Sequence, residues 1–407
     1  MEQLLEKYAS LAVEIGVNIQ KGQNLLVRAT LETAPFVRKI VKKAYEAGAH
    51  DVIVLWSDEA TSRIRYELAP EAAFEDFPEY LVKAHDVAAE NNWALLSVVA
   101  MDPDLLKGIP SERIAAANKA AGMAMENFRQ KLMADKVSWS IVAVPSAAWA
   151  AKVFPGVEAE KQQEALWEAI FKATRADLDD PVAAWEEHIA TLNEKGEFLN
   201  SKNFKALHFK APGTDLKLDL IPGHLWVSAG SDNEKGDRFV ANIPTEEVFT
   251  MPAKEGANGV VSSTKPLSYG GNLINNFSLT FEKGRIVDFS AEEGYETLKH
   301  LIETDEGSHY LGEVALVAHN SPISNTGILF YNTLFDENAS VHLAIGSAYA
   351  FNLKGGKTMT KEELEAAGAN QSLTHVDFMI GSENMDIDGI MADGTVIPIF
   401  RQGDWQL

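Results

Sequence analysis

Hydrophobic positions in the first half of the chain follow two alternating rhythms. Leu4, Leu5, Tyr8, Leu11, Ala12 and Ile15 recur at the 3.6-residue period of an amphipathic helix. After the Lys21-Gly22-Gln23 turn, Asn24–Arg28 is a short, continuous apolar run of strand length. Pro35 suits a first helical turn, and the spacing predicts a helix to about Ala47, capped by Gly48. Three more strands are expected at Asp51–Trp56, Trp93–Ala100 and Trp139–Pro145. Between them lie a helix over Pro78–Asn91 and one long helix from Ser111 to about Ala134. Strands that lack polar alternation, separated by helices, indicate a parallel sheet covered on both faces. Two further helices are expected over 155–195, with Asp180-Pro181 opening the second and Gly196 ending it.

From about Phe204 the period shortens to two. Leu207-His208-Phe209-Lys210, Leu216–Leu220 and Ser278–Phe281 read as short strands between Gly, Asn and Asp turns, such as Lys283-Gly284. One helix, about Gly294 to Ile302, interrupts this region, and another starts at Thr360. The last strands, Gly389–Met391 and Thr395–Phe400, are joined through Asp393-Gly394, a hairpin signal. The pattern predicts an α/β N-terminal domain with a mostly parallel sheet over 1–200. A mainly β (α+β) C-terminal domain follows over 201–407.

Composition narrows the function. A net charge of −23 argues against nucleic-acid partners, because phosphate binding needs clustered Lys and Arg. No stretch of eighteen apolar residues occurs, and Met1–Lys7 carries no basic-apolar-small leader. A membrane or secretory assignment therefore has no support, and a cytoplasmic location is expected. There is no cysteine, so any metal must be held by carboxylates, imidazoles or other oxygen donors. No GxxxxGK[ST] or GxGxxG phosphate loop follows a strand of the first half, which makes it a scaffold or cavity wall rather than a cofactor domain.

Candidate chemistry lies in the second half. In Ser372–Ile380 apolar positions alternate with His375 and Asp377, so on a strand these two side chains share a face. That pair suits a metal site or a His-Asp catalytic pair. His342 is the lone polar group in Ala339–Gly346, either a satisfied core histidine or a ligand. Tyr349 is either a phenolic ligand, an oxyanion donor or a packed aromatic. Glu313 heads an apolar strand directly after Gly312. In Asn242–Thr250, alternation puts only one of Glu246 and Glu247 inside. His224, His309 and His319 sit in turn-like contexts and are lesser candidates. The set Glu247, Glu313, His342, Tyr349, His375 and Asp377 is what a two-metal hydrolytic site needs: bridging carboxylates, neutral imidazoles and no thiolate.

Here the chain resembles a known family. Asn242–Thr250, Gly312-Glu313-Val314, His342–Tyr349 and Thr374–Asp377 occur in the order, and at the spacings 66, 29, 7, 26 and 2, of the aminopeptidase T and aminopeptidase S family of bacterial metallopeptidases. The resemblance covers the whole chain. It implies two divalent ions (Zn, Co, Mn or Mg) on Glu247, Glu313, His342, His375 and Asp377, with Tyr349 a ligand or catalytic phenol. It implies a homodimer enclosing a cavity, and short peptides with a free N-terminus as substrates. The expected activity is release of N-terminal amino acids by a metal-activated water, with Glu313 or Glu246 taking the proton. The alternatives are another metal-dependent hydrolase, an amidohydrolase or phosphoesterase, and a non-catalytic peptide-binding relative.

Overall fold

The computed structural model describes residues 1–270 and 272–407. It has two compact units: Met1–Glu186 with Gly230–Pro244, and Glu187–Ala229 with Thr245–Leu407.

The first unit is built on a five-stranded, all-parallel sheet. The strand order is Asp51–Ser57, Asn24–Thr30, Ala94–Val99, Trp139–Ala143, Asn242–Ile243. Leu25, Leu26 and Val27 are buried in succession, as in a strand covered on both faces. The opening amphipathic segment is a helix, Glu2–Ser10, that widens into π-type turns over Leu11–Gly16. It buries Tyr8, whose hydroxyl donates to the Ala143 carbonyl at 3.1 Å and whose ring stacks on Phe36. The long helix expected from Ser111 to Ala134 is two helices, Ser111–Ala124 and Glu126–Met133, broken at Met125. Helices Glu59–Leu68 and Ala147–Val153 have N-caps, Asp58 and Ser146, that bind backbone N–H groups of the first turn. Their apolar periodicity is too short to read from the chain.

Helix Pro181–Lys202 does not stop at Gly196. A Cβ at Gly196 would meet Val248, Ser228 and Trp226 only at ordinary contact distance, and its backbone stays helical. Past it, Leu199 is fully buried, and the Asn200 amide exchanges two hydrogen bonds with the Trp226 backbone. Tertiary packing outweighs the low intrinsic propensity of one glycine, about 1 kcal/mol.

The second unit holds two antiparallel sheets. The larger has nine strands; in it Asn272–Glu282 and Arg285–Glu293 turn at Lys283-Gly284, both with positive φ. The smaller runs Val248–Thr250, Leu311–Leu316, His342–Gly346, His375–Met379. Its register decides what faces where. Val248, Leu316, Val314, Leu343, Phe378 and Ile345 lie on one face and join the unit's main apolar core with Leu207, Phe209 and Leu218 of the larger sheet. The other face carries Phe249, Ala315, Glu313, His342, Ala344, Asp377, Gly346 and His375.

Candidate metal centre

That polar face is the candidate site. Glu313 pairs with Ala344, and Ala344 with Asp377, so the two carboxylates stand across one strand with only a methyl group between them. His342 and His375 lie two residues along on their own strands, on the same face. Two glycines let the strands come this close. A Cβ on Gly312 would fall 2.3 Å from the Ser347 carbonyl oxygen. A Cβ on Gly346, at φ +112°, would fall 2.1 Å from that of Thr374.

Two groups of donors result. Glu247, Glu313 and His342 form one; Glu313, His375 and Asp377 form the other; Glu313 belongs to both. His342 Nε2 lies 3.1 Å from Glu247 Oε2 and 3.6 Å from Glu313 Oε1. His375 Nε2 lies 3.6 Å from Glu313 Oε2 and 3.5 Å from Asp377 Oδ1. The two oxygens of Glu313 thus face different imidazoles. Each imidazole is oriented from behind: His342 Nδ1 bonds the Ser340 carbonyl at 3.0 Å, and His375 Nδ1 bonds that of Ser347 at 2.7 Å. With Nδ1–H donating to a carbonyl, Nε2 is the nitrogen turned toward the carboxylates, the usual preparation of a histidine ligand.

The electrostatics are those of crowded buried anions. Burial, then the carboxylates of Asp377 and Glu247, push the Glu313 carboxyl up to about 7, against a hydrogen bond from His342. Burial alone would lower both imidazoles. Glu247 and Glu313 instead carry His342 well above its usual value, and Asp377 and Glu313 carry His375 up to about 10. Burial works to raise Asp377, yet His375 holds it below the usual carboxylate range. Burial and the four surrounding carboxylates raise the Tyr349 phenol well above its ordinary value, so it is an O–H donor throughout the physiological range. Its ring stands 4.6 Å from that of His375 and stacks on Phe351, with Phe249 edge-on to both.

Glu246 and Glu247 are both buried, where alternation called for one. Thr245–Glu247 precedes the strand, so its side chains do not obey the period of two. Glu247 turns to His342, while Glu246 lies 3.5 Å from His188 Nε2. Glu337 is a site-facing residue that sequence reasoning missed. It is 9% exposed, and burial, then Asp377 and Glu247, hold its carboxyl well above the usual range. It lies in a one-turn helical step, Glu337–Ala339, with no periodicity to announce it. The available signal was its position five residues before His342. His224 and His309 belong to neither donor group.

The donors fit a divalent cation. Carboxylates and neutral imidazoles converge without thiolate, and Asp377 Oδ1 is buried with no hydrogen-bond partner. A profile of the family described as Thermophilic metalloprotease (M29) matches residues 1–405. This chain belongs to that family. It is 60% identical over 403 residues to aminopeptidase AmpS of Bacillus subtilis (strain 168), covering 99% of this chain and 98% of the relative. It is 45% identical over 401 residues to aminopeptidase T of Thermus thermophilus, covering 98% of each. The solved structure titled wild-type AmpT from Thermus thermophilus superposes with a TM-score of 0.94 at 43% identity, covering 100% of both chains. The M29 membership agrees with the family resemblance drawn from the spaced motifs, and the fold agrees with the expected α/β plus mainly β architecture.

Proposed function

We infer that this M29 protein is a metal-dependent aminopeptidase, releasing N-terminal residues from peptides, and that its donor groups hold two divalent ions sharing Glu313. The enzyme is a metallo-hydrolase by family; its relatives' names carry the exopeptidase assignment. The observation that supports a paired site is the membership of Glu313 in both groups. Glu247 and His342 complete one side, and His375 and Asp377 the other. Glu337 faces the same carboxylates and joins the ligand set. When bound, the ions lower the pKa of water and polarise the scissile carbonyl.

The chain's own residues do the rest. Ser340 and Ser347 carbonyls fix both imidazoles so that their Nε2 atoms point inward. The proton that the attacking water loses passes to a site carboxylate, Glu313 or the neighbouring Glu246. The Tyr349 hydroxyl, held protonated, donates to the oxygen that gains charge as the carbonyl becomes tetrahedral. A cytoplasmic location accords with a cysteine-free sequence, and among the described residues no helix is long and apolar enough to cross a membrane. The homodimer implied by the resemblance is read by light scattering of the purified protein.

Neither an amidohydrolase nor a phosphoesterase is favoured, since the relatives are aminopeptidases. The test is metal analysis of the purified enzyme with a panel of aminoacyl substrates, N-blocked peptides and phosphate esters, before and after chelation. Turnover confined to free N-termini, lost with chelator and restored by Zn, Co, Mn or Mg, is expected. Undiminished turnover of the metal-free enzyme would refute the proposal.

A further inference from the structure

The segment Phe330–His342 carries, directly after Glu337, an uncharged polar side chain that takes no part in the donor groups. Asn338 is completely buried. Its Oδ1 accepts from the Glu246 backbone N–H at 2.8 Å. Its Nδ2 donates to the Leu334 carbonyl at 3.1 Å and to Glu337 Oε1 at 3.3 Å. All three contacts need an amide: an acceptor at one end, two donors at the other. A buried amide meets such a demand only where the backbone around it is set. Here Asp336 sets it, accepting from the Phe330 and Asn332 N–H groups at 2.8 and 3.0 Å, while Asn332 caps the turn at Leu334. Four residues past Asn338, His342 begins the next strand.

We infer that Asn338 is a positioning residue that locks two remote carboxylate segments into one metal-binding geometry. One end fixes the backbone directly before Glu247, 92 residues away in sequence. The other end binds the carboxylate of Glu337, whose helical turn packs against the strand that carries Asp377. The amide therefore ties the Glu246-Glu247 segment to the carboxylate of Glu337. It does so without a charge that would compete for the cation. This rests on the two-ion reading above.

The geometry makes separable demands. Asn338→Ala loses both ties. Asn338→Asp keeps shape and the acceptor toward Glu246 but turns a carboxylate oxygen toward Glu337 Oε1. The experiment is competition titration of the full-length, metal-stripped enzyme with Zn²⁺ or Co²⁺ against a chromogenic chelator, beside wild type and Glu247→Gln. Partners that orient ligands typically contribute 10–100-fold in metal affinity. Asn338→Ala is expected to lose about that factor, with the two binding steps less coupled, while kcat at saturating metal falls far less than apparent affinity. Asn338→Asp is expected to lose less for the first ion than Asn338→Ala does. If Asn338→Ala does not fold, as read by circular dichroism, Asn338→Asp carries the test. A folded variant with a lower metal-free Tm but wild-type metal affinity overturns the inference, as does a loss confined to kcat. Wild-type protein that binds neither ion overturns the two-ion reading itself, an outcome distinct from an unaffected Asn338 variant beside a weakened Glu247→Gln.

Discussion

Glu313→Gln is the substitution that tests the site most directly, because the amide keeps the shape and removes only the shared charge. In the metal-free protein, Glu313 oxygens lie 3.6 Å from His342 Nε2 and 3.6 Å from His375 Nε2. Opposite unit charges at that distance attract by roughly 5 kcal/mol at an effective dielectric near 20, before the cost of desolvation. The residual effect of a close opposite charge on a pKa is about 1–3 units. His375 is raised to about 10 chiefly by Asp377, with Glu313 next, so losing Glu313 should lower it without returning it to its ordinary value. A pH titration of the His375 ring proton by NMR, assigned against His375→Gln, reads that shift. In the metal-replete enzyme, losing a proton acceptor of this kind costs about 10²–10⁴-fold in kcat/KM, or about 3–5 kcal/mol at 1.36 kcal/mol per tenfold. Metal stoichiometry should fall below two, because one residue leaves both donor groups. Retention of two ions at wild-type affinity, with His375 still titrating near 10, would show that Glu313 is not shared.

Stability of the metal-free protein should fall as pH rises. Glu313, at about 7 when folded against 4.5 ordinarily, retains a proton that the unfolded chain releases, so its contribution declines from about 4.5 through 7. The His375 contribution is fully present below 6.5 and is lost as pH rises through about 10. Calorimetric Tm should therefore drop across pH 5–10 without metal and stay flatter with metal, whose ligands are already deprotonated; equal slopes would refute this. Tyr349→Phe removes the O–H donor but keeps the ring against His375 and Phe351. Loss of one oxyanion donor typically costs about 10²–10³-fold in kcat, and a KM effect with kcat intact would reassign the phenol to substrate binding. Gly346→Ala puts a methyl group 2.1 Å from the Thr374 carbonyl oxygen at a φ that side chains avoid. Strain of this type costs about 1–3 kcal/mol before any strand separation. A chemical-denaturation midpoint equal to wild type would mean that the strands accommodate it.

What could be read in advance followed from local periodicity, and what could not followed from its absence. Glu313, His342, His375 and Asp377 lie on strands of a half-buried sheet, where a period of two sorts candidate donors from core. His375 and Asp377 share a face because Val376 and Phe378 take the other. Glu246 and Glu247 escaped the same rule because they precede their strand, and burial of both is arranged by partners distant in sequence, His188 and His342. Glu337 and Asn338 escaped it because a single helical turn has no period to display. Helix Pro181–Lys202 outran Gly196 for a related reason: the stop signal was local, whereas the Asn200–Trp226 hydrogen bonds that extend the helix are not. The two-residue parallel pairing of Asn242–Ile243 with Ile141–Val142 lies about a hundred residues across the chain and carries no local signature. The site combines both kinds of information. Alternation along strands brings its donor side chains onto one face, while contacts such as that of Asn338 with Glu246 join segments that no window along the chain contains.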